Sequence, residues 1–255
     1  VGFWAMVLVV AMMAMQGRAS PTAYLDSRNF TEPMFVFAIM VIAGSRAVLG
    51  LAQGAVQAVA RGLPLAGGMS FYLVALAFVP LLGSLITEPA AMTLAAMMLR
   101  DRIFSVAGVS QRLKYATLGV LFVNISIGGT LTPFAAPPVL MVAAHPPVFM
   151  GLFLFFMGFA TAYPKYQSRL ILREGLLVAF FLAGLVVLGG QQQWWLEPLL
   201  LGMDANTIYF GATALTAVTD NAALTYLGSL VDGRSDEFKY ALVAGAVTGG
   251  GLTEI

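Results

Sequence analysis

Apolar residues run in long blocks along this 255-residue chain rather than in one-sided stripes. Val148 to Ala162 carries no charge, and neither does Gly175 to Gly190. Blocks of this length read as bilayer spans rather than helices of a soluble core. Val1 to Met15 reads as the end of one span, and Gln16 to Pro33 as a polar loop. Met34 to Ala60 is expected to be a second span, with Arg46 near its middle and a Gly50-x-x-x-Gly54 pair. Arg61 to Gly68 turns the chain. Met69 to Leu99 is apolar but interrupted by Thr87-Glu88-Pro89. As one helix it would be about 46 Å long, well beyond a hydrocarbon core of roughly 30 Å. Two arms meeting at the interruption fit better, so a re-entrant hairpin is expected.

The later blocks follow the same logic. Arg100 to Lys114 is a basic loop. Tyr115 to Ala144 is too long for one straight span and holds Gly128-Gly129-Thr130, Pro133, Pro137 and Pro138, which predicts a discontinuous helix. Pro164 to Glu174 is a second basic loop. Gln191 to Asn206 lacks Lys and Arg and carries Trp194-Trp195, which suits a membrane interface. Residues 203–231 form a second broken hairpin centred on Asp220. Tyr240 onward begins a second discontinuous helix, 240–255.

Two phrases occur twice, in the same order. Thr87-Glu88-Pro89-Ala90-Ala91-Met92-Thr93 is matched by Thr219-Asp220-Asn221-Ala222-Ala223-Leu224-Thr225. Gly128-Gly129-Thr130-Leu131-Thr132 follows the first, and Gly249-Gly250-Gly251-Leu252-Thr253 the second. This is a duplicated unit, and in a membrane protein paired interruptions of this kind point to a transport site. The expected units are 1–68 (N-terminal, scaffold-like), 69–144 (first repeat core), 145–202 (connecting spans and interfacial segment) and 203–255 (second repeat core). The chain opens at Val1 inside an apolar run and closes at Ile255 inside the second glycine phrase, so a fragment truncated at both ends is expected.

Composition and charge sharpen this picture. Hydrophobic residues make up 60% of the chain and charged ones only 10%, unlike a soluble protein. A net charge of +1 with no basic block gives no footing for nucleic acid. The absence of cysteine excludes disulfides, thiolate metal sites and thiol catalysis. With Arg100–Lys114 inside, eight basic residues (Arg61, Arg100, Arg102, Arg112, Lys114, Lys165, Arg169, Arg173) lie inside. Four (Arg18, Arg28, Arg234, Lys239) lie outside. That follows the positive-inside tendency, and the two hairpins then enter from opposite faces, as inverted repeats require.

Glu88 and Asp220 are the chemistry these blocks carry. Asp, Asn and Thr favour helix N-caps and Pro the first helical turn, so both words also start helices. An acid at membrane depth costs several kcal/mol unless paired or protonated, which marks it as functional. Carboxylates, Thr hydroxyls (Thr87, Thr130, Thr132, Thr219, Thr253), the Asn221 amide and carbonyls at Gly128, Gly129, Gly249, Gly250 and Gly251 are hard oxygen donors suited to small cations. Desolvation raises a carboxylate's proton affinity, so proton and cation compete for it. Each Thr, taken singly, more often bonds its own helix. Arg46 is expected to snorkel, sit at a bent helix end, or pair with Glu88 or Asp220. Glu254 follows the second glycine phrase, and His145 reads as structural. No hydrolase, zincin or phosphate-loop motif occurs, so an enzyme is not expected.

On these words the chain resembles the ion transporter superfamily, which groups sodium/proton antiporters, arsenite permeases and citrate or dicarboxylate carriers; it is most similar to the sodium/proton antiporter branch. The resemblance implies an all-α polytopic protein of the bacterial inner membrane with inverted repeats, re-entrant hairpins and discontinuous helices. It also implies a homodimer with a fixed scaffold and a moving transport domain, no cofactor, and Na⁺ and H⁺ as transported species. Glu88-Pro89 departs from the family's Asp-Asn pair. A sodium-coupled carboxylate carrier, an arsenite exporter and a non-transporting membrane scaffold are the other readings.

Overall fold

The computed structural model describes residues 1–65, 68–132, 148–231, 233 and 235–253, and all regular structure among them is helical. The second arm of the first glycine-broken segment, His145 and Glu254 lie outside the described residues, as do the side chains of Pro89 and Thr253. The N-terminal helices are α1 (Gly2–Gln16), α2 (Ala19–Asp26), α3 (Thr31–Ala43) and α4 (Arg46–Gly62). Then follow α5 (Met69–Ile86), α6 (Glu88–Leu99) and α7 (Gln111–Gly128). The rest are α8 (Val148–Ala162), α9 (Leu172–Gly189), α10 (Gln193–Leu201), α11 (Ala205–Thr216), α12 (Asn221–Ser229) and α13 (Asp236–Thr253).

Two of these, α5 and α9, are long and apolar enough to cross a bilayer alone. The expected single span from Met34 to Ala60 is instead α3 and α4, bent by 62° at Gly44-Ser45. Ser45 has extended backbone and begins α4 as its N-cap, which restarts the helix in a new direction. Ile171 packs where a Gly44 Cβ would stand, 2.6 Å away, so the bend is also filled from outside. The polar loop 16–33 contains α2, a short helix whose Pro21 is buried near its start.

Two bodies of packing matter for function. Phe35 and Val36 of α3 pack with Leu182 and Val186 of α9, and with Ala222 and Tyr226 of α12. The other core joins α4, α5, α6 and α7 through Val56, Val79, Leu94, Leu99 and Leu121. Within it, α5 and α6 fold back on each other: Arg102, just past α6, stacks over the Phe71 ring near the start of α5 at 4.0 Å. α5 runs alongside α7 in the same direction, tied by Tyr72–Thr117 (2.8 Å) and Asn124–Leu76 (2.7 Å). α11 and α13 repeat this parallel pairing, with Tyr209 bonded to Thr248 at 3.5 Å.

Candidate functional site: two acid-bearing turns and their glycine helices

The first turn is a single residue. Thr87 separates α5 from α6 with φ 75° and ψ 151°, a region left almost entirely to glycine. Such a conformation costs about 1–3 kcal/mol and persists where the surroundings over-determine it. Both Thr87 and Glu88 are buried, at 5% and 9% exposure. The Thr87 carbonyl accepts Ala91 N–H at 3.0 Å and so opens α6. A cavity of about 330 Å³ borders the turn, lined by Thr87, Thr93, Gln53, Leu49 and Glu174 among others.

Four residues before Glu88, Ser84 holds the glycine phrase. Its hydroxyl donates to the Gly128 carbonyl at 2.5 Å and accepts from Leu131 N–H at 2.9 Å. Its carbonyl accepts the Thr132 hydroxyl. α7 ends here, tightening into a 3₁₀ turn over Gly129–Leu131 before Thr132 becomes extended. Gly128 is required by contact: a Cβ there would lie 2.4 Å from the Pro80 carbonyl oxygen, a backbone atom that cannot step aside.

The second turn is looser. Residues 217–220 join α11 to α12, and Asp220 is the N-cap, its carboxylate accepting Ala223 N–H at 2.8 Å. Unlike Glu88, Asp220 is exposed. It borders a cavity of about 280 Å³ with Thr216, Thr219, Asn221 and Gly250. The Asn221 amide nitrogen stands 2.8 Å from where a Gly250 Cβ would be. Gly249 meets the Thr213 carbonyl and Thr216 hydroxyl in the same sense, both at 2.2 Å.

α7 and α13 connect the two turns. Gly251 packs against Ser126, and the Ser126 hydroxyl reaches the Val247 carbonyl at 3.5 Å. Further along, Ile127 and Thr130 share a cavity wall with Tyr240, Val243 and Ala244. As α7 advances α13 recedes, so the two glycine helices cross antiparallel. Each turn thus offers one carboxylate, backbone carbonyls and hydroxyls, beside a helix that approaches closely because it carries glycine.

The family described as "Putative Na+/H+ antiporter" matches residues 1–145 and 142–255, which together cover the chain. The chain belongs to that family. It is accordingly a membrane transport protein of antiporter type. No curated protein and no solved structure matches it.

In this antiporter-family chain, several site residues stand as the sequence placed them and others do not. Thr87, Glu88, Asp220 and Asn221 form the turns, and Gly128 and Gly129 lie at a true end of α7. Gly249, Gly250 and Gly251 do not interrupt their helix: α13 stays helical through them to Thr253. Their backbone is used for close approach, a role compatible with an intact helix. Thr130 and Thr219 bond carbonyls of their own helices, Ile127 and Leu215, both at 2.7 Å. Thr132 instead reaches across to Ser84. Arg46 is exposed at the first turn of α4, so of its three expected settings the bent helix end is the one observed.

Ser84, Thr216, Ser126 and Asn124 were not among the sequence candidates. A signal for two of them existed. Ser84 and Thr216 stand three places before Thr87 and Thr219, so the repeated word begins earlier than its acid suggests.

Proposed function

We propose that this protein exchanges Na⁺ for protons across the bacterial inner membrane, with Glu88 and Asp220 as the carboxylates that bind either species. The observation that carries this reading is the pairing of each acid-bearing turn with its glycine helix in both halves. Proton and Na⁺ each neutralise the same negative charge, so occupancy by one expels the other. The Asn221 amide, Thr87, Thr132 and carbonyls near Gly128 supply oxygens of the kind a hard monovalent cation takes. Antiparallel crossing of α7 and α13 fits inverted repeats, and the fold-back at Thr87 fits a re-entrant hairpin. On the same reading the protein is a homodimer whose hairpins and glycine helices move against a scaffold.

The two carboxylates are not equivalent in setting. Asp220 opens onto a cavity while Glu88 is enclosed, so Asp220 is the cation's first contact in this state. The test is uptake of radiolabelled Na⁺ driven by a pH gradient, in proteoliposomes carrying the full-length protein or its Asp220→Asn variant. Proton-driven uptake that is lost in the folded variant supports the reading. Absence of Na⁺ uptake by the unmutated protein would sink it.

A further inference from the structure

The two turns share a buried hydroxyl residue as well as an acid. The words lengthen to Ser84-x-x-Thr87-Glu88 and Thr216-x-x-Thr219-Asp220. Ser84 is 3% exposed and Thr216 1%. Each faces the glycine phrase of the helix that follows in its own half. Ser84 spans the end of α7 with bonds to Gly128 and Leu131. Thr216 donates to the Ala212 carbonyl at 2.7 Å and lies against Gly249, close enough that a Cβ there would clash. Space-filling alone would be met by alanine or valine, without burying a polar group that must find partners. The two halves differ at most positions between these words, yet both keep a hydroxyl here.

We infer that Ser84 and Thr216 are repeat-related positioning residues. Ser84 holds the acid-bearing turn of its half in register with the glycine backbone by hydrogen bonds, and Thr216 by the contact of its hydroxyl with Gly249, so that in each half carboxylate and carbonyl oxygens converge on one cation. Neither need touch the ion. They act through Glu88 and Asp220, fixing how far each turn stands from its partner helix. Sodium as the ligand rests on the exchange reading above; the tethering of turn to helix does not.

The experiment uses the full-length protein and four substitutions: Ser84→Ala, Thr216→Ala, Thr216→Ser and Ser70→Ala. Ser70 is the control: its hydroxyl is also buried and bonds the Leu63 and Leu65 carbonyls, but it lies at the opposite end of α5 from the turn. Ser84→Ala and Thr216→Ala are expected to raise the Na⁺ concentration for half-maximal transport about tenfold, with maximal rates within about twofold. Thr216→Ser and Ser70→Ala are expected to leave it within about twofold of the unmutated protein. Amide hydrogen exchange over residues 129–132 is measured in parallel, because Ser84→Ala removes the hydroxyl that accepts the Leu131 N–H. Faster exchange there is expected whether or not sodium is the substrate. If the unmutated protein moves no Na⁺, the exchange reading falls while hydrogen exchange still decides the tether. Unchanged half-saturation in both alanine variants, or unchanged exchange at 129–132 in Ser84→Ala, would overturn the assignment. Thr216→Ser against Thr216→Ala decides the second half even if Ser84→Ala does not fold.

Discussion

Asn124 of α7 donates its side-chain amide to the Leu76 carbonyl of α5 at 2.7 Å. That carbonyl stands four residues before Pro80, which has no N–H to give it. The ladder widens into a π-turn over Val74–Phe78 just ahead of the proline, and Asn124 satisfies what the helix cannot. A polar residue from one helix therefore repairs a defect in its parallel neighbour, and the repair fixes their register.

Asn124→Leu is expected to lower stability by about 1–3 kcal/mol, the cost of a buried acceptor left unmet. Pro80→Ala restores the missing N–H, so the double variant should lose less than the sum of the singles. Thermal unfolding of the four members of the cycle in detergent checks this. Additivity within about 0.5 kcal/mol would show that the two positions do not share the Leu76 carbonyl.

Much of this arrangement was readable from the chain, and the unread parts have physical causes. The turns at Thr87 and Asp220 were legible because a Thr-acid pair interrupts apolar runs, and an interruption is what periodicity detects. Val148–Ala162 emerged with both its ends because charge and proline bracket it. The Gly44-Ser45 bend was missed since neither residue breaks the hydropathy of α3 and α4; the extended Ser45 backbone and the packed Ile171 act only in three dimensions. At 249–251 glycine was read as a helix breaker, a reading that suits a helix exposed to water. In α13 the same glycines admit α11 and α12 at contact distance, and tertiary packing outweighs a propensity penalty of about 1 kcal/mol each.

That difference between close approach and flexibility is testable on two glycines. A Cβ at Gly249 would meet the Thr213 carbonyl oxygen at 2.2 Å, whereas one at Gly211 would meet nothing within 4 Å. Gly249→Ala is therefore expected to destabilise by about 1–3 kcal/mol through overpacking. Gly211→Ala, in mid-α11, is expected to be neutral or to stabilise by up to about 1 kcal/mol. Melting temperatures of the two variants, measured side by side, should move in opposite directions or in one direction only for Gly249.

Thr87 stores strain beside a buried acid. Thr87→Gly removes the side chain that disfavours φ 75° and is expected to raise stability by about 1–2 kcal/mol. If the strained turn sets the position of Glu88, the more stable variant will transport more slowly. Unfolding and uptake measured on one preparation check both halves, and a variant that is stabilised with undiminished transport would separate the strain from function.

Competition between Na⁺ and H⁺ for the same carboxylates is the central claim, and the pH dependence of sodium affinity tests it most directly. The half-saturating Na⁺ concentration is measured in proteoliposomes over a series of pH values, with the same pH on both sides and exchange followed by isotope. If one proton displaces one cation, that concentration rises about tenfold for each unit of acidification where the carboxylate is mostly protonated, while the maximal rate stays nearly level. A half-saturation that ignores pH, with only the maximal rate falling in acid, would contradict a shared site.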